Sequence, residues 1–322
     1  MASWQSELMK FLMRQQAKKM ERLHLRVWDE HTSVPAFRQY CESGAARAKL
    51  VAGIEAVPEK IEGLSPSLSA EWLQPSVEGG IPPVEDSVIF YCHGGGYISG
   101  SCSDHRALVS KLAAYTGMKL FLFEYRLAPE HPFPAAFEDS FTAYRWLLTR
   151  IEPQTRIIIA GNSAGGGLCL AVLLALKDCI SQGETGLRLP VAGVSISPNT
   201  DMSLSGKLNP VKRSVEPVGL AAYCSKYYVG DNDPCHPYIS PLFGELGGLP
   251  PLLLTVGDEE NGLDDSVRFT DKARAAGVDA RLIIGKGQVH CHPLLPDFIP
   301  ESRQAMTEIV AFIQKYGANK AV

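Results

Sequence analysis

The sequence predicts an α/β fold: a mostly parallel, doubly wound sheet with a helical cap. Three observations predict it. From about residue 85, short apolar runs alternate with longer helical stretches, the rhythm of strand, crossover helix, strand. The runs are continuously apolar rather than alternating, as strands buried on both faces of a parallel sheet should be. Two regions, 1–50 and 200–248, fall outside the rhythm and have no strand of their own.

Residues 1–50 read as two helices, the second beginning after Pro35. In the first, Trp4, Leu8, Phe11 and Leu12 recur at helical spacing, with Lys10, Arg14, Lys18 and Lys19 among them. This amphipathic helix is expected to pack on its own protein, with a membrane surface as the alternative. Strands are expected at 88–92, 119–124, 156–160, 191–197, 252–256 and 281–284. The helices between them are expected at about 104–116, 135–150, 164–182 and 264–276, with a last one at about 302–316. Residues 200–248, rich in Gly, Pro and Tyr, hold two short helices in this reading. Both outlying regions are candidates for a lid over the carboxyl edge of the sheet, where open α/β sheets bind ligands. The expected organisation is a cap over 1–50 and a catalytic domain over 51–322, with 200–248 contributing to the cap.

At 322 residues the chain suits one large domain. Its net charge of −4, with signs mixed, argues against the basic stripe of a nucleic-acid surface. Eight cysteines sit singly, without the Cys or His spacings of a zinc site, and read as reduced thiols in a cytosolic protein. The N-terminus lacks the unbroken apolar core of a signal peptide. No run is read as reaching the ~18 apolar residues of a bilayer span, so stable membrane insertion is not expected. A homodimer stays open.

Ser163 carries the chemistry. It sits in Gly161-Asn162-Ser163-Ala164-Gly165, a G-x-S-x-G between the strand RIIIA and the helix GGLCLAVLLALKD. A sharp strand-to-helix turn needs small neighbours, because the serine backbone is strained and closely approached. The turn lifts the hydroxyl off the sheet at a helix N-terminus, whose dipole favours developing negative charge. The competing reading is a turn with a structural serine. His93-Gly94-Gly95-Gly96 follows another strand, VIFYC. Three glycines there can aim backbone N–H groups at one point, as an oxyanion hole requires. Gly94 and Gly95 are the expected donors, joined by Ala164 after the serine. Alone, HGGG could be a plain loop or a phosphate cradle, but the Gly-Lys-Ser/Thr of the latter does not follow.

With these motifs on the page, the chain resembles the hormone-sensitive-lipase-like esterases, the bacterial family IV esterases. The resemblance rests on HGGGYISGS at 93–101, EYRLAPEHPFPAAFED at 124–139, GNSAGGGL at 161–168, SPLFGELGGLPPLLLTVG at 240–257 and the segment holding His290. It implies the α/β-hydrolase fold, ester hydrolysis through an acyl-enzyme on a carboxylic ester substrate, and no cofactor or metal. It implies too that the N-terminal helices form the cap. Overall similarity leans toward fungal-type members acting on acetylated secondary metabolites. One departure is Asn162, where the family usually has Asp; Asn is nearly isosteric and leaves Ser163 and Ala164 untouched.

This fold orders its triad serine, acid, histidine. The base is then His290, in the G-x-x-H-like Gly287-Gln288-Val289-His290, with His292 as the alternative. The family pattern G-x-x-E before L-x-D-D-S overlays on 257–266 and puts the acid at Glu260, with Asp258 also open; Asp264 and Asp265 read as caps of the next helix. Glu124, Arg126, Glu130 and His131 read as structural ion pairs. Rival readings are an amidase such as an arylformamidase, a metabolite deacetylase, or a non-catalytic small-molecule receptor that would have lost a triad member.

Overall fold

The computed structural model describes residues 2–25, 27–45, 48–62, 67–207 and 215–318. Two helices come first, α1 (Trp4–Arg22) and α2 (Val34–Ala45). They are followed by β1 (Ile54–Ile61), β2 (Leu68–Pro75) and β3 (Val84–Cys92). Then come α3 (Cys102–Thr116), β4 (Met118–Phe123), α4 (Ala135–Leu148) and β5 (Arg156–Asn162). After α5 (Ala164–Ser181), β6 (Ala192–Ile196) and α6 (Leu220–Val229), the chain ends in β7 (Leu252–Gly257), α7 (Leu263–Ala275), β8 (Ala280–Gly285) and α8 (Pro300–Gly317).

One eight-stranded sheet runs in the order β1-β2-β4-β3-β5-β6-β7-β8. The six strands expected from the apolar runs are β3 to β8, and all pair in parallel. Strands β1 and β2 were not expected; they add an antiparallel edge through β2 on β4. Apolar periodicity misses β1 because only its two ends are buried and Pro58 interrupts it, which is tolerable on an edge that need not donate every ladder bond.

The sheet is covered on both faces. One side packs Phe90, Phe121 and Phe123 against Tyr144 of α4 and the leucines of α5. The other packs Ile89, Leu120 and Ile158 against Leu112 of α3 and Ile309 of α8. Helix α5 is apolar enough to cross a membrane by length and composition, with mean hydropathy 1.6 over 18 residues, contrary to the expectation that no run is. Its apolarity is explained by burial: every residue from Ala164 to Leu176 is inside the core.

The two outlying regions meet. Val27 pairs with Val218 in a short parallel bridge, and the Trp28 N–H donates to Val218 O at 2.8 Å. The Trp28 ring stands edge-on to Phe37 of α2 and Tyr223 of α6, both at 4.8 Å. Of the two helices expected in 200–248, the described residues contain α6 and a 3-10 turn at Pro241–Phe243. The 124–139 segment is structural as expected: Arg126 forks onto Asp139, and Glu130 pairs with Arg38 of α2.

Candidate active site

Strand β5 delivers Ser163 at its carboxyl end with φ 54° and ψ −122°. Such a conformation costs a non-glycine residue on the order of 1–3 kcal/mol and persists only where its surroundings hold it. Here they do: the Ser163 N–H donates to Ile196 O at 2.8 Å, and Ser163 O accepts from Gly167 and Asn199 at 3.1 and 3.2 Å. The flanking Gly165 is obligatory, because a Cβ on it would stand 2.1 Å from Cys92 O. The side chain of Asn162 accepts from the Tyr91 hydroxyl at 3.0 Å and turns its Nδ2 to Cys291 Sγ at 3.8 Å.

The glycine loop corrects one expectation. The Gly94 N–H is already spent: it donates to His105 Nε2 at 3.1 Å, while His105 Nδ1 is held by Asp104. Gly94 therefore offers nothing to an oxyanion. Gly95 and Gly96, with φ of 120° and 63°, line the cavity beside Ser163 instead. The N–H groups of Gly95, Gly96 and Ala164 donate to no acceptor among the described residues. Behind the loop His93 is fully buried against Tyr125, and burial drives its pKa down to about 3, so it stays neutral.

The loops after β7 and β8 bring the other candidates together. Glu260 Oε2 lies 2.5 Å from His290 Nδ1, and Glu260 Oε1 accepts from the Ser197 hydroxyl at 2.8 Å and from the Gly257 N–H. Asp258 lies elsewhere: its Oδ1 accepts the Gly287 N–H at 2.6 Å and ties down the loop that carries His290. His292 is buried against Gly285, whose absent Cβ makes room for its ring, and burial lowers its pKa to about 4. Burial opposes charge on His290, but Cys291 and then the Glu260 carboxylate outweigh it and hold the imidazole pKa well above the ordinary range. Burial likewise opposes the Glu260 carboxylate; His290, the Gly257 N–H and the Ser197 hydroxyl reverse it and hold its pKa low.

Ser163, Asn162, His290, Gly95 and Gly96 face one cavity of about 410 Å³, walled by Phe37, Met202, Leu204, Leu220 and Cys224. Glu216 stands on the same cavity, 3.9 Å from His290 Nδ1, and accepts from Asn261 Nδ2 at 2.6 Å. Glu216, Glu260 and His290 bring donor atoms within 4.8 Å of one another, a spacing a cation could span. The two best-placed of those atoms, however, are already bonded to each other. Ser197, Glu216, Gly96 and His105 are site residues that sequence reasoning missed. The sequence places Ser197 inside the expected strand 191–197, whereas β6 ends at Ile196 and Ser197 turns out of it with φ 48°.

A family profile described as alpha/beta hydrolase fold matches residues 89–294. An acetyl-hydrolase of Streptomyces hygroscopicus is 36% identical over 76% of this chain and 79% of its own length. An esterase of Acinetobacter venetianus is 38% identical over 70% of this chain and 74% of its own. The crystal structure of an esterase from the bacterial hormone-sensitive lipase family is 33% identical, with a TM-score of 0.83 over 98% of this chain and 99% of that one. The chain belongs to the α/β-hydrolase fold family, and its structural neighbours are esterases of the hormone-sensitive lipase family.

Proposed function

We propose that this enzyme hydrolyses carboxylic esters through an acyl-serine, with Ser163 as nucleophile, His290 as base and Glu260 as the acid that orients it. The observation that carries the reading is the Glu260–His290 pair opening on the same apolar cavity as the strained Ser163. His290 takes the Ser163 proton through Nε2 as Oγ attacks the ester carbonyl. The N–H groups of Gly95, Gly96 and Ala164 receive the negative charge that develops on the carbonyl oxygen, each worth about 3 kcal/mol to the transition state. The alcohol leaves with the proton from His290; water, deprotonated by the same ring, then releases the acid. A cavity of about 410 Å³ with apolar walls suits a short to medium acyl group, and kinship with an acetyl-hydrolase supports acetyl esters. The relatives compared are bacterial, so the fungal leaning and an acetylated secondary metabolite gain no support from them. Eight unbridged cysteines support a reducing compartment.

Ser163→Ala should lower kcat on p-nitrophenyl acetate by about 10³-fold or more, with the melting temperature little changed. Unchanged turnover would overturn the mechanism. N-formylkynurenine cleaved faster than p-nitrophenyl acetate would point to an amidase instead, and a wild-type protein without turnover on either to a receptor.

A further inference from the structure

Helix α1 is amphipathic in the reverse sense. Its buried positions are Ser6, Lys10 and Ala17, and the docked side is held by polar bonds: Ser6 to Gln288, Lys10 to Glu259 and Gly287 O. The large apolar residues point away, with Trp4 71%, Leu8 43%, Phe11 53% and Leu12 48% exposed. At about 100° per residue these four share an arc of roughly 100°. Two turns further on, the same arc carries Lys18, Lys19 and Arg22, all exposed. The outer face is thus apolar in its first half and basic in its second. The helix carries five basic residues against two acidic ones in a chain of net charge −4.

A second group of exposed apolar residues lies beyond the basic half. Leu23, Val27, Leu204 and Val218 are also exposed, Val27 is paired with Val218, and Leu204 and Pro217 line the catalytic cavity. This second group therefore adjoins that cavity. Of the fifteen exposed large apolar residues among the described ones, eight lie in the segments 4–27 and 204–218, a concentration that marks an interaction surface rather than scatter.

We propose that this face seats the protein on an anionic lipid surface. Trp and Phe are suited to the boundary between headgroups and acyl chains, and the Lys18–Arg22 half matches anionic headgroups. A second copy matches less well. Antiparallel pairing of two α1 helices sets the basic half of each against the apolar half of the other, and parallel pairing sets like charges side by side. Such docking is peripheral, and it brings the cavity mouth toward the membrane, where apolar esters partition.

Vesicle sedimentation tests it without turnover. The full chain should bind vesicles of phosphatidylcholine containing phosphatidylglycerol. Binding to phosphatidylcholine alone, or at raised salt, should be about tenfold weaker or more. The double variants Trp4→Ser/Phe11→Ser and Lys18→Glu/Arg22→Glu should each lower binding about tenfold or more, while turnover of soluble p-nitrophenyl acetate and circular dichroism stay unchanged. No binding to the anionic vesicles, or binding that neither variant weakens, would overturn the proposal. So would a dimer in light scattering that Trp4→Ser/Phe11→Ser dissociates.

Discussion

His290 and Glu260 pull activity and stability toward different pH. His290 holds its proton more tightly in the folded chain than in the unfolded one, so the stability it lends is complete below the unfolded value of about 6.5. That stability is lost as pH rises through the raised folded value. Glu260, with its pKa lowered, lends stability above about 4.5 that is lost as pH falls through its folded value. The pair is therefore most stabilising between those two limits, whereas proton abstraction from Ser163 needs the neutral ring that forms only above them. Activity should climb with pH on an acid limb set by His290. Glu260→Gln removes the charge that keeps the imidazolium favourable, so kcat should fall by on the order of 10³- to 10⁴-fold. The midpoint of the acid limb should move to lower pH. A kcat/KM–pH profile measures both, and an unmoved midpoint would take Glu260 out of its assigned role. Among single residues, Ser163 was legible from its strand-turn-helix setting, whereas the sequence alone left Asp258 beside Glu260 and His292 beside His290, and only the family pattern favoured Glu260 and His290. The oxyanion donors were only partly legible. Gly94, Gly95 and Gly96 are identical letters, and what separates them is His105, eleven residues on in α3, which captures the first N–H. Gly96→Ala should therefore reduce kcat sharply, because its φ of 63° and its crowding by Cys224 Sγ both oppose a Cβ.

At the scale of elements, apolar runs revealed β3 to β8 because two covered faces demand them. The same logic concealed β1, whose edge position leaves half of it exposed, and β2, which pairs on both sides but mixes buried with half-buried positions rather than forming an apolar run. The segment after β6 was legible only as something outside the sheet. The structure shows how its first part is fixed: Asp201 accepts from the Ser203 and Ser205 hydroxyls and pairs with Arg268 of α7, and Asp264 accepts the Lys207 N–H. Asp265 stands beside this network on the cavity wall. Burial, then the Asp201 charge and that of Asp264, push its carboxyl up to about 7 against the pull of Arg268. A carboxyl raised this way burdens the fold increasingly as pH rises from about 4 to the folded value, where it must ionise. Asp265→Asn should therefore stabilise the protein by on the order of 2 kcal/mol more at pH 8 than at pH 5. Thermal melts at the two pH values decide it. A gain independent of pH would mean that the carboxyl is not the burdened group.

For the whole molecule, α1 is a strap laid across the catalytic loops. It begins at Ser3, bonded to Glu301 of α8, and crosses the segment that carries His290 through Ser6 and Lys10. Just past its end the Trp28 indole N–H donates to Leu25 O and the ring packs against Tyr223 of α6. Periodicity in the sequence identified this helix and its docking on its own protein. It could not show that the docked side is the polar one, since periodicity gives the angle between faces and not which face finds a partner. Lys10 is the centre of the strap: buried, it bonds Glu259 and Gly287 O, one and three residues from the acid and the base respectively. Replacing it with Met keeps the stem and removes the ammonium, leaving the Gly287 carbonyl and Glu259 without that donor. A loss of this kind costs about 1–3 kcal/mol. Because the bonds it breaks hold the loop that positions His290, the loss should appear in catalysis as well as in folding. Lys10→Met should lower the melting temperature by several degrees and kcat several-fold, with KM for a short soluble ester nearly unchanged, since α1 contributes no wall to the cavity. A fall in melting temperature with kcat intact would show that α1 secures the fold without positioning the histidine.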